Sequence, residues 1–198
     1  MKKSIILLSL LSLSISCKEG SKDTLSNNTA LSSKDINIKI KAINQEASSY
    51  VTRFITCKST ATKRSHCRNT ITEAISTIYN VNDFKNPKGN FKIYDSIHPI
   101  IKRSKKWMNI GAATTQSNIN KAIEHVNNGK LALIIDTAES YGHVVVVQPG
   151  KVTKSGSWGL KLPNVLSLLS YKPEKSFQNK SLAHAIKKNV NLQIYIRE

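Results

Sequence analysis

Two residue types in this chain can form a nucleophile–base pair: Cys67 and His143. A thiolate attacks a carbonyl carbon, and an imidazole takes the thiol proton and returns it to the leaving group. His143 opens the run Gly142-His143-Val144-Val145-Val146-Val147-Gln148-Pro149-Gly150, which reads as a buried strand closed by a Pro-Gly turn. Cys67 falls near the start of an amphipathic pattern. With Ser65 as N-cap, the spacing predicts a helix to about Tyr79 with Cys67, Ile71, Ala74, Ile75 and Ile78 on one face. A cysteine in the first turn of a helix lies near unpaired backbone N–H groups and the positive helix end, which favour the thiolate. The backbone N–H of Cys67 could also donate to a developing oxyanion.

A third group must orient the imidazole. Strand alternation puts His143, Val145 and Val147 on one face and Val144, Val146 and Gln148 on the other, so Gln148 points away. Two candidates remain. Asp136 would pair across the hairpin with His143, and Asn164, on the following strand, would lie diagonally near it.

The elements that position these residues suggest an α+β domain with helices packed on a small antiparallel sheet. Helices are expected over Asn44–Cys57, Ser65–Tyr79, Gln116–Asn128 (with Gly129 as C-cap) and Ser181–Lys188. Strands are expected over Lys130–Thr137, Gly142–Gln148, Ser157–Val165 and Leu192–Arg197. Pro163 would place the third of these at an edge or an end. The region from Lys58 to Arg64 reads as a basic loop, Asn80–Asn90 as a loop with Asn86-Pro87-Lys88-Gly89 as its turn signal, and Ile97–Gly111 is mixed.

The chain begins Met1-Lys2-Lys3, followed by an apolar stretch from Ser4 to Ser16 that is short for a membrane span. Residues 1–16 read as a signal peptide. The ending Leu13-Ser14-Ile15-Ser16-Cys17 resembles a bacterial lipoprotein signal, in which Cys17 becomes the lipidated first residue. The polar, aromatic-free run from Lys18 to about Ser33 reads as a flexible tether, and the boundaries adopted are 17–40 for lipidated cysteine plus tether and 41–198 for the domain. The expected location is the cell envelope, lipid-anchored on the periplasmic or outer-membrane side.

Lys and Arg number 30 against 12 Asp and Glu, a net charge of +18; the signal takes away two lysines and no acid, leaving +16. Outside the cytoplasm such a charge suits anionic polymer or lipid head groups. Secretion and the lack of a basic motif interleaved with aromatics argue against nucleic acid. No Cys/His pair has zinc-ligand spacing, so neither metal nor cofactor is expected. His66 points about 100° away from Cys67 on the predicted helix. His98, His125 and His184 have no ligand-spaced companion, and Trp107 and Trp158 are read as core.

The run Asn118–Gly129, then Lys130-Leu131-Ala132-Leu133, then Gly142-His143-Val144 through Pro149-Gly150, with Trp158-Gly159 and Pro163-Asn164-Val165 after it, resembles the NlpC/P60 and CHAP class of papain-like cysteine peptidases and amidases of the bacterial wall. Family members often carry Asn and an aromatic just after the cysteine, where this chain has Arg68-Asn69-Thr70. The resemblance implies a papain-like fold and hydrolysis of amide bonds in peptidoglycan by a monomer, with Cys67 as nucleophile and His143 as base. It favours Asn164 over Asp136 for orientation, because papain-like folds take that group from the next strand. The alternative is a non-catalytic envelope lipoprotein that binds anionic wall polymer and holds a Cys57–Cys67 disulfide, since two cysteines ten positions apart can pair in an oxidising compartment. A hydrolase aimed at a host or competitor protein is a further possibility.

Overall fold

The computed structural model describes residues 32–63, 67–138 and 143–198. Residues 1–16, read above as a signal peptide, and Cys17, Ser65, His66 and Gly142 lie outside the described residues. The fold is α+β. Among the described residues four helices, α1 (Ser33–Thr60), α2 (Thr70–Ile78), α3 (Ile97–Arg103) and α4 (Gln116–Asn127), accompany six strands. The strands are β1 (Trp107–Ala112), β2 (Ala132–Asp136), β3 (Val144–Ser155), β4 (Leu160–Ser167), β5 (Phe177–Ser181) and β6 (Leu192–Arg197). They form one open antiparallel sheet in the order β1-β6-β2-β3-β4-β5.

The sheet is covered on both faces. Leu133, Ile135, Val144, Val146, Leu166 and Leu168 pack against α1, α2 and α3 through Tyr50, Phe54, Ile71, Ile75 and Ile97. Ala132, Ile134, Val145, Val147 and Val165 pack against α4 through Ile119, Ala122 and Val126. The two sets alternate along each strand, as the pleat requires. Continuous apolar runs in β2 and β3 therefore reflect burial on both faces, not a one-sided strand. Trp107 belongs to the first core and Trp158 to the second.

Several elements depart from the sequence reading. The first helix is longer than Asn44–Cys57 at both ends. It begins at Ser33, so residues 33–40 are helical, not tether, and it runs through Lys58 to Thr60. Ser32 caps it by accepting from the Asp35 N–H (3.2 Å). The added N-terminal turns are mostly exposed; Ile36 and Ile40 continue the spacing of Ile43 and Ala47 but are only partly buried.

The second helix starts later than predicted, at Thr70, and Cys67 precedes it. The Pro149-Gly150 pair does not close β3. The strand continues to Ser155, and the register shifts between Val147 and Val152, so the pair forms a bulge. Gly150 has φ +113° there, a conformation that residues with a Cβ rarely adopt. Pro163 lies within β4, on the stretch paired to β3 alone, because the ladder to β5 begins at Asn164. A strand over Phe177–Ser181 replaces the start of the predicted Ser181–Lys188 helix, of which only a 3₁₀ turn over Leu182–His184 is formed.

The helix over Gln116–Asn127 and the strand over Leu192–Arg197 form as expected, and Gly129 follows α4 with φ +72°. Ile134 is completely buried in β2 against α4. Replacing it with Ala should lower the unfolding free energy by about 3 kcal/mol, read as a lower urea midpoint at unchanged slope.

Candidate functional site

The residues singled out by their chemistry converge on one end of the sheet, where β3 begins and β4 ends. A cavity of about 270 Å³ opens there. Phe54, Ile71, Val144 and Leu168 supply apolar walls, and Arg68, Tyr94, Tyr171 and Lys172 also line it. Cys67 and His143 both border this cavity.

Cys67 is not a free thiol. Its sulfur is bonded to Cys57, with the two Cα atoms 6.1 Å apart. This corrects its assignment as a nucleophile for the oxidised form described. Its placement is corrected too. Cys67 lies three residues before α2, with φ +68°, and its carbonyl accepts from the Thr70 N–H (3.3 Å). A non-glycine residue in the left-handed region is strained, and the surroundings must hold it there. They do so from two sides. The bridge ties Cys67 to the last turn of α1. One residue on, the Arg68 carbonyl accepts from the Tyr94 N–H (2.9 Å), while its guanidinium pairs with Asp95 and lies over the Tyr94 ring (5.7 Å).

His143 sits just outside β3, and its carbonyl accepts from the Asp136 N–H (3.0 Å). Asp136 therefore does lie opposite it across the hairpin. The Asp136 carboxylate, however, accepts from the Ala138 N–H (3.0 Å) and from Asn189 Nδ2 (3.1 Å), with no hydrogen bond to the imidazole among the described residues. Burial pushes the His143 pKa down to about 4, opposed only in part by the negative charge of Asp136. The ring is neutral at pH 7.

The imidazole partner is a residue that sequence reasoning missed. His143 Nε2 lies 3.0 Å from Ser167 Oγ. Asn164, the favoured orienting residue, does not reach the ring. It is buried and donates to Asn179 Oδ1 (2.7 Å). It stands three residues from Ser167 on β4, about 10 Å along the strand. The reading of β4 as Ser157–Val165 stops before Ser167, whereas the bulged β3 carries the hairpin further and brings Ser167 level with Val145. Gln148 points away from His143 as expected, donating to Asn44 Oδ1 (3.2 Å) and Gln178 Oε1 (3.3 Å).

Face assignment explains why the cysteine and the histidine do not pair. Ser167 is level with Val145, which packs toward α4, so the hydrogen-bonded imidazole is held on that face. Cys67 belongs to the core on the α1 and α2 face. The two approach the cavity from opposite sides of the sheet, and no hydrogen bond joins them among the described residues.

A second cavity of about 430 Å³ adjoins the first. Arg68, Tyr94, Ser170 and Tyr171 border both, and Lys58, Thr62 and Lys63 line the second. Among the described residues, no group of three or more His, Cys, Asp or Glu could hold a metal ion. In its oxidised form the arrangement offers an apolar recess beside a cationic one.

Comparison with protein-family models and with curated proteins gives no match for this chain. The wall-hydrolase resemblance therefore rests on the motifs alone.

The His143 shift has a signed consequence. A group with a pKa near 6.5 unfolded and about 4 folded binds its proton mainly in the unfolded chain. Its contribution is fully present above about pH 6.5 and is lost as pH falls toward 4. On going from pH 7.5 to 4, wild type should lose up to roughly 3 kcal/mol more than His143→Gln, by urea unfolding of both at each pH. Equal losses would show that the folded imidazole titrates normally.

Proposed function

We propose that this chain is an envelope lipoprotein whose domain binds anionic cell-wall polymer without cleaving it. The observation that carries this reading is the Cys57–Cys67 bond, which occupies the sulfur a thiol hydrolase would need. The charge supports it. Beyond the lipoprotein-like signal the chain carries +16, the +18 of the whole less two lysines. Lys102, Arg103, Lys105 and Lys106 are exposed in the last turn of α3 and just after it, and exposed Lys154 and Lys161 pair across the β3–β4 hairpin. Such clusters attract a phosphorylated or carboxylated polymer through long-range electrostatics, which salt screens over about 8 Å at physiological strength. Attachment through Cys17 would keep the domain close to the wall, and the domain would act as a monomer.

The second reading is a papain-like cysteine peptidase or amidase acting on peptidoglycan, or on a protein of another cell. It is favoured by Cys67 and His143 bordering the same cavity. It needs the thiol freed and the imidazole released from Ser167.

Sedimentation with purified sacculi tests both readings. The oxidised protein should pellet with sacculi at low salt and lose at least tenfold in affinity between 50 and 500 mM NaCl, without releasing new amino groups from the wall, the magnitude following from screening of several charge contacts. Failure to bind at low salt would overturn the binding reading. Release of amino groups by the reduced protein would establish the second.

A further inference from the structure

We infer that the Cys57–Cys67 bond is a redox lock over a reactive thiol, and that a dithiol reductant opens it to present Cys67 to the cavity. This deepens the second reading by naming how its site is regulated, but thiol exposure can be measured whether or not any amide is cleaved.

The two sulfurs are not equivalent. Cys67 is 9% exposed and borders the cavity, whereas Cys57 is partly exposed and does not line it. An incoming thiolate therefore reaches Cys57 more easily. Its attack on Cys57 Sγ breaks the S–S bond and expels Cys67 as the leaving thiolate. The second thiol of the reductant then attacks the mixed disulfide and frees Cys57. The reductant leaves as a disulfide, having delivered two electrons and two protons to the pair.

The leaving direction is also favoured electrostatically. Cys57 stands in the last turn of α1, where the helix end is negative. Cys67 stands ahead of the positive end of α2 and next to Arg68, whose guanidinium is paired with Asp95, while Lys58 follows Cys57 in α1. The better-stabilised thiolate is the better leaving group. Once free, that thiolate would face a recess walled by Ile71, Val144 and Leu168, with His143 at its border, placed to attack an electrophilic carbonyl.

Iodoacetamide is the probe. The chain from Cys17 onward should be reduced with dithiothreitol, alkylated briefly at pH 7, and the labels on Cys57 and Cys67 mapped by mass. Cys67 should label at least tenfold faster than Cys57 and than glutathione. In a Cys57→Ser variant the midpoint of its pH–rate profile should fall below the ordinary thiol value of about 8.5. Equal or faster labelling of Cys57, or a Cys67 midpoint at or above that value, would overturn the lock. The reduced wild-type protein supplies the first comparison even if the variant does not fold. A digest of sacculi by the same reduced sample reads the hydrolase activity separately, so loss of one does not imply loss of the other.

Discussion

Each residue from Val144 to Val147 is buried, alternately against α1 and α2 and against α4. Such two-sided burial fixes strand register strongly, because a slip of one residue would exchange the two cores. The register in turn fixes the site. It sets Asp136 opposite His143, brings Ser167 level with Val145, and holds the hydrogen-bonded imidazole on the α4 side. The open end of the sheet is where the two faces meet, and the cavity forms there.

The disulfide acts on the other wall of that cavity. It joins the end of α1 to the segment entering α2, closing a short loop between residues ten apart. On a chain-entropy view, a loop of this size stabilises the fold by about 3 kcal/mol. That is ample to hold Cys67 in its left-handed conformation, a strain of about 1–3 kcal/mol. A single bond thus stabilises the entry to α2 and removes the sulfur from nucleophilic chemistry. The surrounding charge is unaffected by this change, so the proposed polymer binding and the proposed thiol chemistry can be tested separately.

The parts of the fold legible in the sequence are those where an apolar period is long or a turn signal strong. The helix ending before Gly129, the β2–β3 hairpin and the final strand all follow from such patterns, and so do the alternating faces of β3 and the turn of Gln148 away from His143. The first turns of α1 were not read as helix, because Ile36, Ile38 and Ile40 alternate with polar residues and Ile38 is exposed, which blurs the helical spacing that Ile36 and Ile40 share with Ile43. Nor was β5, whose Phe-Gln-Asn-Lys-Ser sequence has one buried apolar side chain and is held by its place beside β4. The candidate site was half legible. Cys67, His143 and Asp136 all reach the predicted end of the sheet. Ser167 was hidden because β3 runs on past Pro149-Gly150 to Ser155 with a register shift, which changes the residue of β4 that meets the histidine. The choice between a thiol and a disulfide depends on whether two cysteines meet in space, and the delayed start of α2 decides it here.

The state of the cysteines in the protein as it is purified tests this account most directly. Protein purified without reductant, blocked with an alkylating agent and digested, should yield one peptide pair linked through Cys57 and Cys67, with neither residue alkylated. Full alkylation of both before any reductant is added would contradict the account, and would return Cys67 to the position of a free nucleophile.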